Sequence, residues 1–319
     1  MDYRVWSSFD QKWRINEYQK NAKDEILIKK MNGLLAKLND EASDIGGEPS
    51  PSILLISGPR TGSTLITQVL VSRLNIGYPS NLMARFFEAP CIGAFLQERL
   101  IGNRIHQLRA YKSVHGVTTL IEEPHEFGYF WSRFLILPGK DVHQPSDESE
   151  YAYVDIKMLN EELIKISKVF TRPVLYKCPL GVFFLPLLNK IENIFFIFLE
   201  RNDIDTASSI LKTRKKRLNN IALWWSLRPH NYHTLKTLLP EEQVVGQIME
   251  IKKAIEKGKA SIDENRQFTI HFRHFLQDPE SAIDGLCEKY KIFANEQLEK
   301  VGEPVPPFPL LNEVEHPEA

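Results

Sequence analysis

Residues 53–70 read ILLISGPRTGSTLITQVL. Ile53 to Ile56 is a continuous apolar run, the pattern of a strand buried on both faces of a parallel sheet. From Ser63 onward Leu65, Ile66, Val69, Leu70 and Leu74 mark one face of a helix. The turn between them, Gly58-Pro59-Arg60-Thr61-Gly62, therefore joins a strand to a helix, where a phosphate-binding loop sits. The ATP-type loop requires G-x-x-x-x-G-K-[ST]. Here Ser63 stands where the lysine follows the glycine. Anion capture is still physically available. Gly62 lets the backbone approach an anion, and the helix start offers unpaired N–H groups and a positive dipole end. Ser63 and Thr64 add hydroxyl donors, and Arg60 brings a planar guanidinium suited to phosphate or sulfate oxygens. The plainer reading is a turn whose glycines serve geometry alone.

A second stretch, IFFIFLERNDIDTASSILKTRKKR (194–217), repeats this logic. Arg201 follows a buried strand, Ile194 to Leu199, and Ser209 lies eight residues further on, about two turns into the next helix. Parallel strands end on one edge of their sheet, which brings Arg201 toward the first loop. Two anion sites on one edge suit a ligand with two separated phosphate-like groups. A surface arginine paired with Asp203 or Asp205 is the alternative.

The pattern elsewhere predicts helices over 10–39, 92–101, 123–136, 157–169, 203–217 and 241–257, the last closed by Gly258. Strands are expected at 174–177 and 268–272, and Asp278-Pro279 opens a final helix through Tyr290. Strands alternating with helices imply an α/β fold: a three-layer α/β/α sandwich around a central, mostly parallel sheet, like that of P-loop NTPases. We expect an N-terminal helical segment and linker over 1–52, a main domain over 53–300 and a tail over 301–319.

Forty basic against forty-one acidic residues leave the 319-residue chain at −1, so overall charge does not point to a nucleic-acid partner and any anion site is local. Only Cys91, Cys178 and Cys287 are present, a sparse and odd count that fits a reducing cytoplasm better than a disulfide framework or a zinc site. No apolar run is long enough to span a membrane.

Together these residues resemble the PAPS-dependent sulfotransferase family, PAPS being 3′-phosphoadenosine 5′-phosphosulfate. Pro59-Arg60-Thr61-Gly62-Ser63-Thr64 matches the family's 5′-phosphosulfate loop, P-[KR]-[ST]-G-[ST]-T. Arg201 and Ser209 match its 3′-phosphate site, and Lys177-Cys178-Pro179 looks like its Lys-x-Pro element. The resemblance implies a sulfotransferase fold and PAPS as sulfuryl donor. Transfer goes to a hydroxyl of a small-molecule or glycan acceptor by in-line displacement. Adenosine 3′,5′-bisphosphate leaves, and no metal takes part. Arg60, Thr61, Gly62, Ser63, Thr64, Arg201 and Ser209 would hold the donor, with Arg60 and Lys177 as cations on the transferring group.

The family's usual histidine after the second strand is missing at Lys177-Cys178-Pro179. A base within reach of the acceptor hydroxyl is still needed. Candidates are Glu88, His115, Glu122, Glu123, His125 and Glu126, with Glu126 or His125 favoured because neighbouring Phe127, Tyr129, Phe130 and Trp131 would desolvate them and raise a carboxyl pKa. The adenine-stacking tryptophan after the loop is replaced by Leu65, leaving Trp224 or Trp225 as substitutes. Arg214, Lys215, Lys216 or Arg217 could add to the 3′-phosphate anchor. The aromatic middle segment and the N-terminal helix suggest a partly apolar acceptor such as a lipid, polyketide or phenolic alcohol, with a carbohydrate as the other option. The rival functions are a P-loop-like nucleotide kinase and a non-catalytic nucleotide-binding protein.

Overall fold

The computed structural model describes residues 13–107, 111 and 118–309. Four strands form one sheet: β1 (Ser52–Ile56), β2 (Val174–Lys177), β3 (Ile194–Glu200) and β4 (Gln267–His271). Their order is β2-β1-β3-β4, and every pairing is parallel. Leu54 lies opposite Tyr176 on one side and Phe196 on the other, and Ile197 opposite Phe268 fixes the register of β4.

The apolar runs are explained by burial on both faces. Leu54, Ile56, Tyr176, Phe196 and Phe198 pack into one core, while Ile53, Leu55, Leu175, Phe195 and Ile197 pack into another. Successive side chains point to opposite faces of a strand, so a run without polar gaps needs cover above and below. The principal helices, in chain order, are α1 (Ala22–Leu35), α2 (Ser63–Arg73), α3 (Pro90–Leu100), α4 (Gly128–Phe134), α5 (Ile156–Phe170), α6 (Asp203–Leu218), α7 (Pro240–Lys259) and α8 (Pro279–Ala294). Residues of α4 and α5 cover the first core, and residues of α2 and α8 the second. The expected three-layer α/β/α arrangement is therefore present, with an all-parallel sheet.

Several local expectations hold. Asn202 caps α6 through its side chain, with Asp203 and Asp205 in the first turn and Lys215, Lys216 and Arg217 in the last. That charge order is the one the helix dipole favours. Asp278 caps α8 with Pro279 in its first turn.

Others need correction. The expected helix over 10–39 is interrupted: a short turn at Asn16–Tyr18 precedes α1, whose cap is Asn21. The stretch read as linker contains a helix, Asn39–Asp44, whose Asn39 accepts a hydrogen bond from the Cys91 amide at 2.9 Å. The helix expected over 123–136 begins only at Gly128, because Phe127 takes a left-handed conformation (φ 55°). Gly258 does not close α7. It lies inside the helix, where any side chain would meet Leu185.

Candidate active site

β1 is central, with β2 on one side and β3 on the other, so consecutive crossovers leave it in opposite directions. In an open α/β sheet the ligand crevice lies beyond the carboxyl ends of the strands at such a switch point. The loop after β1, Lys177 at the end of β2, Arg201 after β3 and Phe272 after β4 all line one cleft of about 740 Å³ there. A second cavity of about 400 Å³ shares Gly58, Pro59, Arg201 and Phe272 with it.

The loop is held in an unusual backbone state. Gly62 caps α2 at φ 92° and Arg60 is left-handed at φ 63°. For Arg60 that conformation is uncommon and costs free energy. A tie from across the sheet offsets it: Arg201 Nη1 donates to the Arg60 carbonyl at 2.9 Å. Thr61 Oγ1 donates to the Gly58 carbonyl at 3.0 Å and tightens the turn. No side chain caps the start of α2. Gly62 has a second reason to lack a side chain, since a Cβ there would overlap the ring of Phe272. The close approach at this glycine is thus with the aromatic ring that follows β4, two strands away in the sheet.

The Arg60 side chain crosses toward α6, where its Nε donates to Ser209 Oγ at 2.9 Å. Arg60, Arg201 and Ser209 thus form one cluster, although they come from two motifs. Burial, together with repulsion from Arg217 and Arg201, lowers the Arg60 pKa to about 10. Crowded, partly desolvated cations of this kind are relieved by an anion.

Lys177 is almost completely buried, at 3% exposure. Its Nζ donates to Thr64 Oγ1 at 3.1 Å and to Glu126 Oε1 at 3.4 Å, so β2, the loop helix and the middle segment meet at one ammonium. Trp131 Nε1 donates to the Lys177 carbonyl at 2.8 Å and fixes the strand end. Glu126 opens 45% of its side chain to the cleft.

The expected rise in the Glu126 pKa is reversed. Burial does push it up, but Lys177, His125 and Arg217 outweigh burial and hold the carboxyl below its usual value. His125 is lowered to about 4, chiefly by burial and then by Lys177, Arg85 and Lys20 against Glu126, so it is neutral at pH 7. Its Nδ1 accepts the Phe127 amide at 2.9 Å, which leaves the ring proton on Nε2. His125 is therefore placed as a donor to the cleft, and Glu126 is the group able to take a proton.

The other candidate bases are placed differently. Glu123 is buried and accepts from Gln68 and from the Thr119 and Leu120 amides, so it braces the 118–123 turn. Glu88 and Glu122 are not among the cleft-lining residues, and Glu88 lies beside Gly33 of α1. His115 lies outside the described residues. Phe127, Phe130 and Trp131 turn into the core, and of this aromatic run only Tyr129 faces the cleft. Trp224 and Trp225 both line it, Trp224 with its indole N–H donating to the Leu227 carbonyl at 3.1 Å. Arg214 is buried and donates to Gln243 at 2.8 Å, Lys215 and Lys216 are exposed, and Arg217 is the member of that run that reaches the cleft.

The sequence signals did not single out Lys20 or Arg85, which also line the cleft. Neither belongs to a motif, and only the packing of α1 and the 81–87 turn brings them there. Among the described residues, the cleft is lined by Arg14, Lys20, Arg60, Arg85, Lys177, Arg201, Arg217 and Arg228 against the acids Glu17 and Glu126. The cleft is locally basic although the chain carries a net charge of −1.

The fold is that of the sulfotransferases. The chain superposes on sulfotransferase STF9 from Mycobacterium avium with a TM-score of 0.51 at 15% identity, over 80% of this chain and 67% of that one. Sulfotransferase STF1 from Mycobacterium tuberculosis gives 0.49 at 12% identity over 91% and 80% of the two chains. The sulfotransferase domain from the curacin biosynthetic pathway gives 0.43 at 13% over 77% and 75%. No protein-family model matches the chain, and no curated protein matches it by sequence.

Proposed function

We propose that this protein transfers a sulfuryl group from PAPS to an acceptor hydroxyl. The observation that carries this reading is the cluster of Arg60, Arg201 and Ser209, with the Arg60–Ser209 contact at 2.9 Å, at the carboxyl edge of a sulfotransferase-type sheet. A donor with anionic groups at both ends of its ribose needs two adjacent cation sites, and ATP carries no 3′-phosphate to use the second. Thr61, Gly62, Ser63 and Thr64 would bind the 5′-phosphosulfate through hydroxyls and the free helix start. Arg201 and Ser209 would take the 3′-phosphate, releasing Arg60 toward the group in transfer.

The chemistry of the remaining residues suits this role. The acceptor oxygen attacks sulfur while its proton passes to the Glu126 carboxylate. The new O–S bond forms as the bond from sulfur to the phosphate oxygen breaks, and adenosine 3′,5′-bisphosphate departs. Lys177 would balance charge on the sulfuryl oxygens and keep Glu126 ionised between turnovers, since electrostatic positioning is the main source of rate in such transfers. Glu126 is not a strong base, and its carboxylate serves by location next to the acceptor.

Calorimetric titration with adenosine 3′,5′-bisphosphate and with ATP, both without metal, tests the donor site. Preference for the bisphosphate, weakened in Arg60→Ala and Arg201→Ala, supports the reading. Equal binding of ATP that ignores Arg201 favours the nucleotide-kinase alternative. Tight bisphosphate binding without turnover on any hydroxyl acceptor favours a non-catalytic nucleotide binder.

A further inference from the structure

With Arg60, Arg201 and Lys177 assigned to the donor, a second group of cations remains in the same cleft. Arg85 and Lys20 line it beside His125 and Tyr129, with Arg14 close by. The same neighbourhood is evident electrostatically. Arg85 and Lys20 both act on His125, and Arg85 and Arg14 both act on Lys20, which burial and these two arginines lower to about 8.

The three cations are not equivalent. Lys20 is already engaged: it pairs with Glu25 at 3.5 Å and sits 3.9 Å from the centre of the Tyr129 ring. Tyr129 in turn donates to Glu25. This network holds one wall of the cleft in place. Arg85 differs. Its backbone is fixed, with its carbonyl accepting from buried Asn32 at 2.7 Å, but its guanidinium has no hydrogen-bond or ion-pair partner among the described residues. An exposed guanidinium that lines a cleft beside other cations suits an oxyanion.

We infer that the acceptor is itself an acid: a hydroxyl compound carrying a carboxylate or comparable oxyanion, which Arg85 binds through its guanidinium while the hydroxyl is presented to Glu126. This inference rests on the sulfotransferase reading and deepens it. It narrows the expectation of a partly apolar acceptor, because Phe127, Phe130 and Trp131 face the core and Tyr129 alone of that run lines the cleft. A neutral acceptor would leave Arg85 acting as a like charge on Lys20, whereas an anion bound at Arg85 lowers that repulsion.

The test uses two probes that share a hydroxyl and differ by one charge, 4-hydroxyphenylacetate and its methyl ester. Each is titrated into the full chain by calorimetry at constant ionic strength without nucleotide, then assayed as an acceptor with PAPS. The acid is expected to bind about tenfold to a hundredfold more tightly than the ester, the range of one charge-assisted contact. In Arg85→Gln that ratio falls toward one, and Arg85→Lys restores part of it, while the thermal midpoint stays unchanged. Equal binding of acid and ester by the unmodified chain overturns the inference, as does a ratio that Arg85→Gln leaves intact. The two readings fail separately. Loss of bisphosphate binding defeats the donor site, whereas the nucleotide-free titration reports on Arg85 alone.

Discussion

The Nε of Arg60 lies 2.9 Å from Ser209 Oγ, across 149 residues of sequence. One residue belongs to the loop after β1 and the other to α6, yet the parallel sheet stacks their parent strands side by side. Arg201 completes the tie by donating to the Arg60 carbonyl. A bound nucleotide with two phosphate-like ends would exchange these internal bonds for its own.

Arg60→Ala and Arg201→Ala are therefore expected to differ in effect. Removing Arg60 takes a cation from the transferring group and lowers kcat by about a hundredfold or more. Removing Arg201 removes the 3′-phosphate anchor and the brace on the strained loop, so it raises the bisphosphate Kd most. Stopped-flow turnover and calorimetry on both variants check this. Equal effects on kcat and Kd would contradict the division of roles.

Glu126→Gln should lower kcat by about a hundredfold to ten-thousandfold with little change in bisphosphate affinity, as expected for loss of a general base. The sign of the pH profile is specific. The carboxyl is held below its usual value, so the base is ionised throughout the neutral range and activity falls only as pH drops through the lowered pKa, below about 4.5. A kcat–pH curve with an acid limb near 6 would point instead to a neutral-range group and away from Glu126.

Gly62→Ala meets both a left-handed backbone and the Phe272 ring. Strain and overpacking together cost about 2–5 kcal/mol, a drop of roughly 3–8 °C in Tm for a chain of this size. Pairing it with Phe272→Ala should give a loss smaller than the sum of the two single losses, because the clash vanishes with the ring. Additive losses in a thermal melt would mean that the ring is not what excludes a side chain.

His143, at another wall of the same cleft, offers a stability test. It is buried, its amide donates to the Arg228 carbonyl at 2.9 Å and its Nδ1 accepts from the Arg228 amide at 2.9 Å. Burial, helped by Arg228, lowers its pKa to about 3 from an ordinary 6.5. The unfolded chain therefore takes up the proton first, and stability declines as pH falls below about 6.5, by at most about 1.4 kcal/mol per pH unit for this one group. Urea unfolding between pH 7 and 5 should show this decline, and His143→Asn, which keeps an acceptor near Nδ1, should reduce the slope. An unchanged slope would show that His143 does not carry it.

The side of the cleft formed by the loops after β1 and β3 was legible before any coordinates because it is built from local grammar. An apolar run followed by glycine, arginine, serine and threonine specifies a strand, a turn and a helix start within eighteen residues, 53–70. The same grammar recurs at 194–217. Helix boundaries near the acceptor side were less legible. Phe127 adopts φ 55° and delays α4, a choice that helix periodicity does not encode. The direction of the Glu126 shift was also hidden, since it depends on Lys177, fifty-one residues away, outweighing burial.

Residue pattern alone determined the α/β class, the parallel sheet and the strand-to-helix turns that carry Arg60 and Arg201, since each rests on periodicity and turn chemistry within a few residues. Tertiary structure decided which charges share a cleft. It sent Phe127, Phe130 and Trp131 into the core, buried Arg214, and left Arg85 facing the cleft. The physical reason is that burial and ion pairing are set by neighbours in space. The same Arg is a strut or a ligand site according to whether a fold-specific partner, such as Gln243 beside Arg214, stands within hydrogen-bond reach.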